Sequence, residues 1–296
     1  MNGFLTAWRV SRALPVRAVR VVAEAGATVV WRRGGRVVER FESNLARVTG
    51  RSGEDLRSLS RDGLRSVARY YAEALTLGRL RGEQIDARVR LEGYDAVEDL
   101  LATTDRGVVA ALSHSGNWDL VGAYAARHII PVTAVAEVLK PAEVFESFVQ
   151  MRENVGIHVL GHEGSSTFRR LISLGRRERA LICLLADRDL SGTGVEVDMW
   201  GERVKVAPGP AALAIALRTP LLPIHVRYER LTGQRRRAAG SPWGVVLDFC
   251  APLNPDDFDD SGKVDAMSQA WAGALAERIA KHPEDWHMLQ RFGWVS

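Results

Sequence analysis

Gly107-Val-Val-Ala-Ala-Leu112-Ser113-His114-Ser115-Gly116-Asn117-Trp118-Asp119 passes from strand to loop to helix within one short stretch. Residues 107–112 are an apolar run, and the polar residues that follow end it as a strand ends at a sheet edge. Gly116 permits a tight backbone there, and Asn117 is placed to cap a helix over residues 118–128. The alternation continues downstream. Strands are expected at 130–136, 157–160, 180–186, 221–228 and 245–250, and helices at 144–154, 166–175, 211–217 and 264–282. Strands alternating with helices in this way imply an α/β fold, a mostly parallel central sheet flanked by helices. In such sheets the chemistry sits at the carboxyl ends of the strands, where His114 falls.

Upstream the pattern differs. Residues 1–90 read as N-terminal amphipathic helices rich in arginine, with 55–82 as a helical pair. In Val16-Arg-Ala-Val-Arg-Val-Val22, apolar and cationic residues interleave, and Trp8 and Trp31 flank the region. Two readings stand: ordinary surface helices packed on a core, or an interfacial surface with arginines on lipid headgroups. The organisation is therefore a single domain over 1–296. Its portion 1–90 is helical and membrane-facing on the second reading, and its portion 106–296 is α/β and catalytic.

Composition bounds the partners. The 296 residues are 46% hydrophobic, which excludes wholesale disorder. Lys plus Arg number 40 against 36 Asp plus Glu, a balance that suits an anionic partner such as coenzyme A, nucleic acid or an anionic membrane surface. The arginines are scattered with no aromatic platform, so nucleic acid is not expected. Cys183 and Cys250 sit in apolar runs and read as free core thiols. His158 and His162 are four apart, but Gly161 interrupts and no third ligand is evident, so no metal is expected. No Gly-x-Ser-x-Gly elbow follows a strand, which disfavours an esterase. Gly192-Thr-Gly194 lacks the spacing of a nucleotide loop, and residues 232–240 and 256–260 read as solvated excursions. The longest apolar stretches run to about ten residues, short of the ~20 that cross a bilayer. No cleavable leader pattern opens the chain, so a cytoplasmic location is expected.

His114 and Asp119 are the candidate chemistry. If the loop folds back, the carboxylate can meet the imidazole, fix its tautomer and raise the basicity of the other ring nitrogen. That pair could deprotonate an alcohol. The same two residues also read as an ordinary loop histidine and a first-turn acid.

The segment resembles the His-x4-Asp acyltransferases of lipid assembly, specifically the bacterial lipid A late acyltransferases, with a glycerolipid-acyltransferase-like fold. Further motifs carry the resemblance in order: Arg40-Phe-Glu-Ser-Asn44-Leu, Asp187-Arg-Asp189, Gly194-Val-Glu-Val-Asp-Met-Trp-Gly201, Pro208-Gly-Pro-Ala-Ala-Leu-Ala214 and His282-Pro-Glu-Asp-Trp-His-Met-Leu-Gln-Arg291. Within that group the chain is most similar to actinobacterial phosphatidylinositol mannoside acyltransferases. Glu196, where the lipid A enzymes are expected to carry an apolar or aromatic residue, and the preference for arginine over lysine motivate that choice.

The resemblance implies a fatty acyl group moving from acyl-CoA, as substrate and not cofactor, to a mannose hydroxyl of a phosphatidylinositol mannoside. It implies a peripheral position on the cytoplasmic face of the inner membrane. His114 would be the general base and Asp119 its orienting partner, with no covalent acyl-enzyme. Backbone amides of Ser115 to Asn117 are candidate oxyanion donors. Glu196 is a candidate partner of His114 or of a sugar hydroxyl. Glu137 and Arg152 would contact the acceptor's polyol and phosphate, and Asp187 and Arg188 would border the site. The alternatives are a lipid A-type enzyme with another glycolipid acceptor, and a non-catalytic lipid-binding protein of the same fold. Arg152 also reads as a helix-surface residue, Glu196 as an exposed acid, and Asp187 with Arg188 as a structural ion pair.

Overall fold

A computed structural model describes residues 13–295 except Leu139, Leu190, Ser191 and Thr193. Three helices open it: α1 (Val16–Arg33), α2 (Arg36–Thr49) and α3 (Gly53–Ala74). Next come α4 (Gly82–Arg88), β1 (Val89–Glu92), α5 (Glu98–Thr103) and β2 (Gly107–Leu112). The alternation proceeds through α6 (Trp118–His128), β3 (Val132–Glu137), α7 (Ala142–Glu153), β4 (Ile157–His162), α8 (Ser165–Arg177) and β5 (Ala180–Leu185). A hairpin of β6 (Val195–Met199) and β7 (Glu202–Val206) intervenes before α9 (Gly209–Leu217), β8 (Leu221–Arg230), α10 (Gly233–Ala239), β9 (Trp243–Phe249) and α11 (Lys263–Lys281).

Seven strands form one sheet in the order β1-β9-β8-β2-β5-β3-β4, and every pairing is parallel except β8 with β9. This is the expected mostly parallel sheet flanked by helices. β2 lies at its centre. Val108 and Ala110 pack on one face with Leu120 and Val121 of α6, while Val109 and Ala111 pack on the other with Leu213 of α9 and Trp271 of α11. A strand covered on both faces must be apolar at every position, which is why 107–112 shows no alternation.

Several expectations for single segments change. The pair expected over 55–82 is one long helix, α3, followed by a 3₁₀ turn at Leu77–Arg79. Residues 232–240 are solvent-exposed for most of their length, as expected, but they are not a plain loop. They hold the short helix α10, and Arg235 there donates to the Ala87 carbonyl at 3.3 Å and to Glu229 at 2.8 Å. Trp31 is no boundary tryptophan, because its Nε1–H donates to Ser60 Oγ at 3.0 Å and the Arg57 guanidinium stacks on its ring at 4.4 Å. Trp8 lies outside the described residues. Among the described residues no helix is long and apolar enough to cross a membrane.

Candidate active site

The site is built where β2 ends. The backbone of Gly116 has φ +58°, and a Cβ there would meet the Val226 carbonyl oxygen at 2.7 Å, so only glycine fits. Asn117 caps α6, its Oδ1 accepting from the Leu120 N–H at 3.0 Å while its Nδ2 donates to Glu73 at 2.8 Å. The Ser115 hydroxyl is buried against Ser113 at 2.7 Å. These contacts shape the loop and leave Ser115 and Asn117 out of the cavity lining. Two of the three candidate oxyanion amides, Ser115 and Gly116, are already engaged within the fold. The Ser115 N–H already donates to the Ser113 carbonyl at 2.8 Å, and the Gly116 N–H to the Asp285 carbonyl at 2.9 Å.

His114 is held by Asp187, not by Asp119. Its Nδ1 lies 2.6 Å from Asp187 Oδ1, and its backbone N–H donates to Oδ2 at 3.0 Å. Sheet register explains the pairing. β2 and β5 run side by side and parallel with Leu112 opposite Leu185, so the second residues beyond each strand, His114 and Asp187, are neighbours. The indole N–H of Trp286 donates to the same carboxylate at 2.9 Å. Burial by itself would raise the Asp187 pKa, but the imidazole beside it and three donors bring it below the usual value. A carboxylate accepting from Nδ1–H leaves Nε2 as the bare ring nitrogen, with no partner among the described residues. The His114 ring lines the cavity.

Asp119 lies in the first turn of α6 and makes a different set of contacts. The guanidinium of Arg152, from α7, donates to it at 2.6 Å, and the Tyr70 hydroxyl, from α3, at 3.0 Å. Burial works against the Arg152 charge, yet Asp119 outweighs it and holds the guanidinium pKa above its ordinary value. Burial and the Asp119 charge both push the Tyr70 phenol well up. Arg152 is thus neither a surface residue nor an unpaired cation. It lines the cavity as half of a buried ion pair.

The cavity beside these groups has a volume of about 820 Å³ and is mainly apolar. It spans the carboxyl edge of the sheet. One arm lies under α6, walled by Gly122, Ala125, Val132, Ala134, Leu181 and Cys183. The other reaches the opposite face, past Leu184, Phe168 and Pro208 at the start of α9. Burial raises the Cys183 thiol to about 12, so it is a neutral part of the wall. Polar groups gather at the rim, where Arg188 stands 4.0 Å from Glu137 and His162 is close by. His158 and His162 both belong to β4, and residues four apart on a strand are about 13 Å apart. That is too far to share an ion, and among the described residues no group of His, Cys, Asp and Glu could hold a metal.

Glu196 falls outside the cavity lining. It sits on the β6–β7 hairpin, where it pairs with Arg203 at 2.9 Å and Lys205 at 3.9 Å across the ladder. It therefore does not meet His114.

The structure also supplies residues that the sequence reading missed. Tyr70 comes from a helix counted with the N-terminal portion. Trp286 and His287 come from the C-terminal segment, whose His287 N–H donates to the His114 carbonyl at 2.7 Å. The His287 ring lines the cavity, bonded through Nε2 to Ser66 at 3.0 Å, and burial, with Arg69 and His114 nearby, lowers its pKa to about 3. The only sequence signal for these was the motif His282-Pro-Glu-Asp-Trp-His, which carries no chemistry of its own until it is folded onto His114.

With this geometry the chain can be set beside known proteins. It is 39% identical over 298 residues to a phosphatidylinositol mannoside acyltransferase of Mycolicibacterium smegmatis, the match covering 97% of this chain and 89% of that protein. It is 36% identical over 291 residues to the protein of the same name from Mycobacterium tuberculosis, covering 97% and 86%. Among solved structures it aligns with a 1-acyl-sn-glycerophosphate (LPA) acyltransferase from Thermotoga maritima at a TM-score of 0.40 and 14% identity, over 88% of this chain and 97% of that one. Residues 3–292 match the profile of a family described as bacterial lipid A biosynthesis acyltransferase, and to that family of acyltransferases the chain belongs.

Proposed function

We propose that this protein transfers a fatty acyl group from acyl-CoA to a mannose hydroxyl of a phosphatidylinositol mannoside. The observation that carries the reading is the His114–Asp187 contact of 2.6 Å at the wall of an apolar cavity of about 820 Å³. A base and a greasy slot side by side are what acyl transfer to an alcohol needs. The names of the relatives supply the acceptor class.

His114 Nε2 takes the proton of the acceptor hydroxyl as its oxygen attacks the thioester carbonyl. The tetrahedral adduct collapses, the carbon–sulfur bond breaks, and the thiolate of coenzyme A leaves with the proton that His114 returns. Asp187 holds the tautomer and offsets the imidazolium charge that forms in between. Thiolate is a good leaving group, so no acyl-enzyme is required. Asp119 anchors Arg152 at the cavity, and Arg152, Glu137 and Arg188 face the anionic and polyol parts of the substrates.

The N-terminal helices dock on an anionic membrane surface. No residue of α1 is fully buried, and Val21, Val22, Val29, Val30 and Val37 are 45–63% exposed beside exposed Arg32, Arg33, Arg36 and Arg40. The facing leaflet is the cytoplasmic one, where acyl-CoA is made.

Purified protein incubated with palmitoyl-CoA should acylate phosphatidylinositol mannosides in preference to lipid A precursors. His114→Ala should abolish transfer while leaving the melting transition in place. Near-normal turnover by that variant would sink the assignment of the base, and a preference for lipid A precursors would replace the acceptor.

A further inference from the structure

We infer that Gly122 sets how deep an acyl chain enters the arm under α6, and so is a determinant of acyl-chain length. The inference rests on the reading of this cavity as the acyl-donor site.

Gly122 lies inside α6, where glycine weakens a helix relative to alanine. Its backbone is not in the left-handed region, so no turn requires it. Nor is it needed for close packing of main chains. A Cβ built at this position would meet one residue within 4 Å, Ile157, at 2.8 Å to Cδ1 and 3.4 Å to Cγ1. Both Gly122 and Ile157 line the cavity. The space next to Gly122 is thus taken by the end of the Ile157 side chain at the cavity wall, and a larger side chain at 122 would have to displace that end or extend into the void itself.

Its place along the arm gives it leverage. Trp118, Gly122 and Ala125 follow one another at helical spacings of four and three and line one face of α6. Trp118 stands at the catalytic end, its ring 5.9 Å from that of His114. Gly122 is about 6 Å further along the helix axis and Ala125 about 10 Å. On the opposing wall, Leu185, Cys183 and Leu181 descend β5 from the same edge, about 13 Å from first to last. A large side chain at position 122 would thus close the arm roughly one helical turn beyond the imidazole. A short acyl group would still reach the base, and a long one would lose its wall contacts.

The test compares kcat/KM for palmitoyl-CoA and hexanoyl-CoA in the full-length protein. Gly122→Leu should lower the palmitoyl-to-hexanoyl ratio by at least ~100-fold, since each methylene excluded from an apolar pocket is worth on the order of 10-fold. Gly122→Ala should give a smaller shift in the same direction. The new Cβ would press on Ile157 Cδ1, so Gly122→Leu is also made together with Ile157→Val, which deletes that atom. Thermal melts establish which variants are folded. A folded double variant with the wild-type ratio overturns the depth assignment while the donor reading stands. A wild-type protein that uses no acyl thioester of either length overturns both together.

Discussion

His114 bonds one carboxylate, Asp187, and shares its cavity with another, Asp119, and the two make opposite demands on a mutational test. Asp187 accepts from the ring Nδ1–H, the His114 amide and the Trp286 indole. In Asp187→Asn one oxygen can still accept, but the charge and the tautomer control are lost. We expect kcat to fall on the order of 10,000-fold, as in other His–carboxylate pairs, with a modest loss of stability. Asp119→Asn instead strands the buried Arg152 guanidinium, which costs about 3–5 kcal/mol where a buried pair loses one partner. Urea unfolding of the two variants, alongside their turnover, separates the roles. Equal stability losses would mean that the division between them is wrong. At this scale the sequence was informative about residue type and silent about pairing. A candidate base could be read from a histidine on a strand–helix loop, but the carboxylate nearest to it in sequence is not the one that bonds it.

At the scale of elements, α1 and the C-terminal segment show how a helix or loop acquires a role. In α1, Val22, Gly26 and Val29 fall at i, i+4 and i+7 and leave an exposed face, while Glu24 on another face binds Arg65 and Arg69 of α3. Replacing Val21, Val22, Val29 and Val30 together by serine should weaken binding to anionic vesicles severalfold and shift the melting temperature less than a core change would, because these side chains are about half exposed already. Wild-type binding should itself weaken as salt rises, and a sedimentation assay over a salt series checks both. Vesicle binding that ignores the valines would remove α1 from the interface. The helical character of this region was legible from periodicity. The packing of Trp31 against Arg57 and Ser60 was not, since an apolar aromatic beside arginines fits a lipid interface and a helix–helix contact equally well. α3 was legible as a helix too, yet nothing local assigned Tyr70, Glu73 and Ser66 to the floor and flank of the site.

At the scale of the molecule, two buried histidines make stability depend on pH. His225 lies fully buried on β8 with neither ring nitrogen partnered among the described residues, and burial, with His282, Arg227 and Arg278 nearby, lowers its pKa to about 3. His287 is lowered to about 3 as well. Both are neutral in the fold, while the unfolded chain protonates them near the ordinary value. Stability is therefore complete above the unfolded pKa, and it falls as pH drops from there towards 3, by up to about 1.4 kcal/mol per pH unit for each site. His225→Leu should flatten this acid limb and leave neutral stability intact or improved, as read from urea midpoints at pH 5 and pH 7.5. An unchanged slope would show that His225 is not the source.

Local pattern by itself determined the strand at 107–112, the glycine turn, the asparagine cap and the helix that follows, because each depends on neighbours within a few residues. It also determined the parallel α/β class, since strands covered on both faces must read as unbroken apolar runs. Strand order was beyond it. β2 and β5 are separated by two full strand–helix units, and only their lateral pairing sets Leu112 against Leu185 and so His114 against Asp187. The hairpin that carries Glu196 away from the cavity, and the C-terminal segment that brings Trp286 to Asp187, are decided at the same level. Contacts between distant segments follow from how the layers pack, and no local periodicity records that.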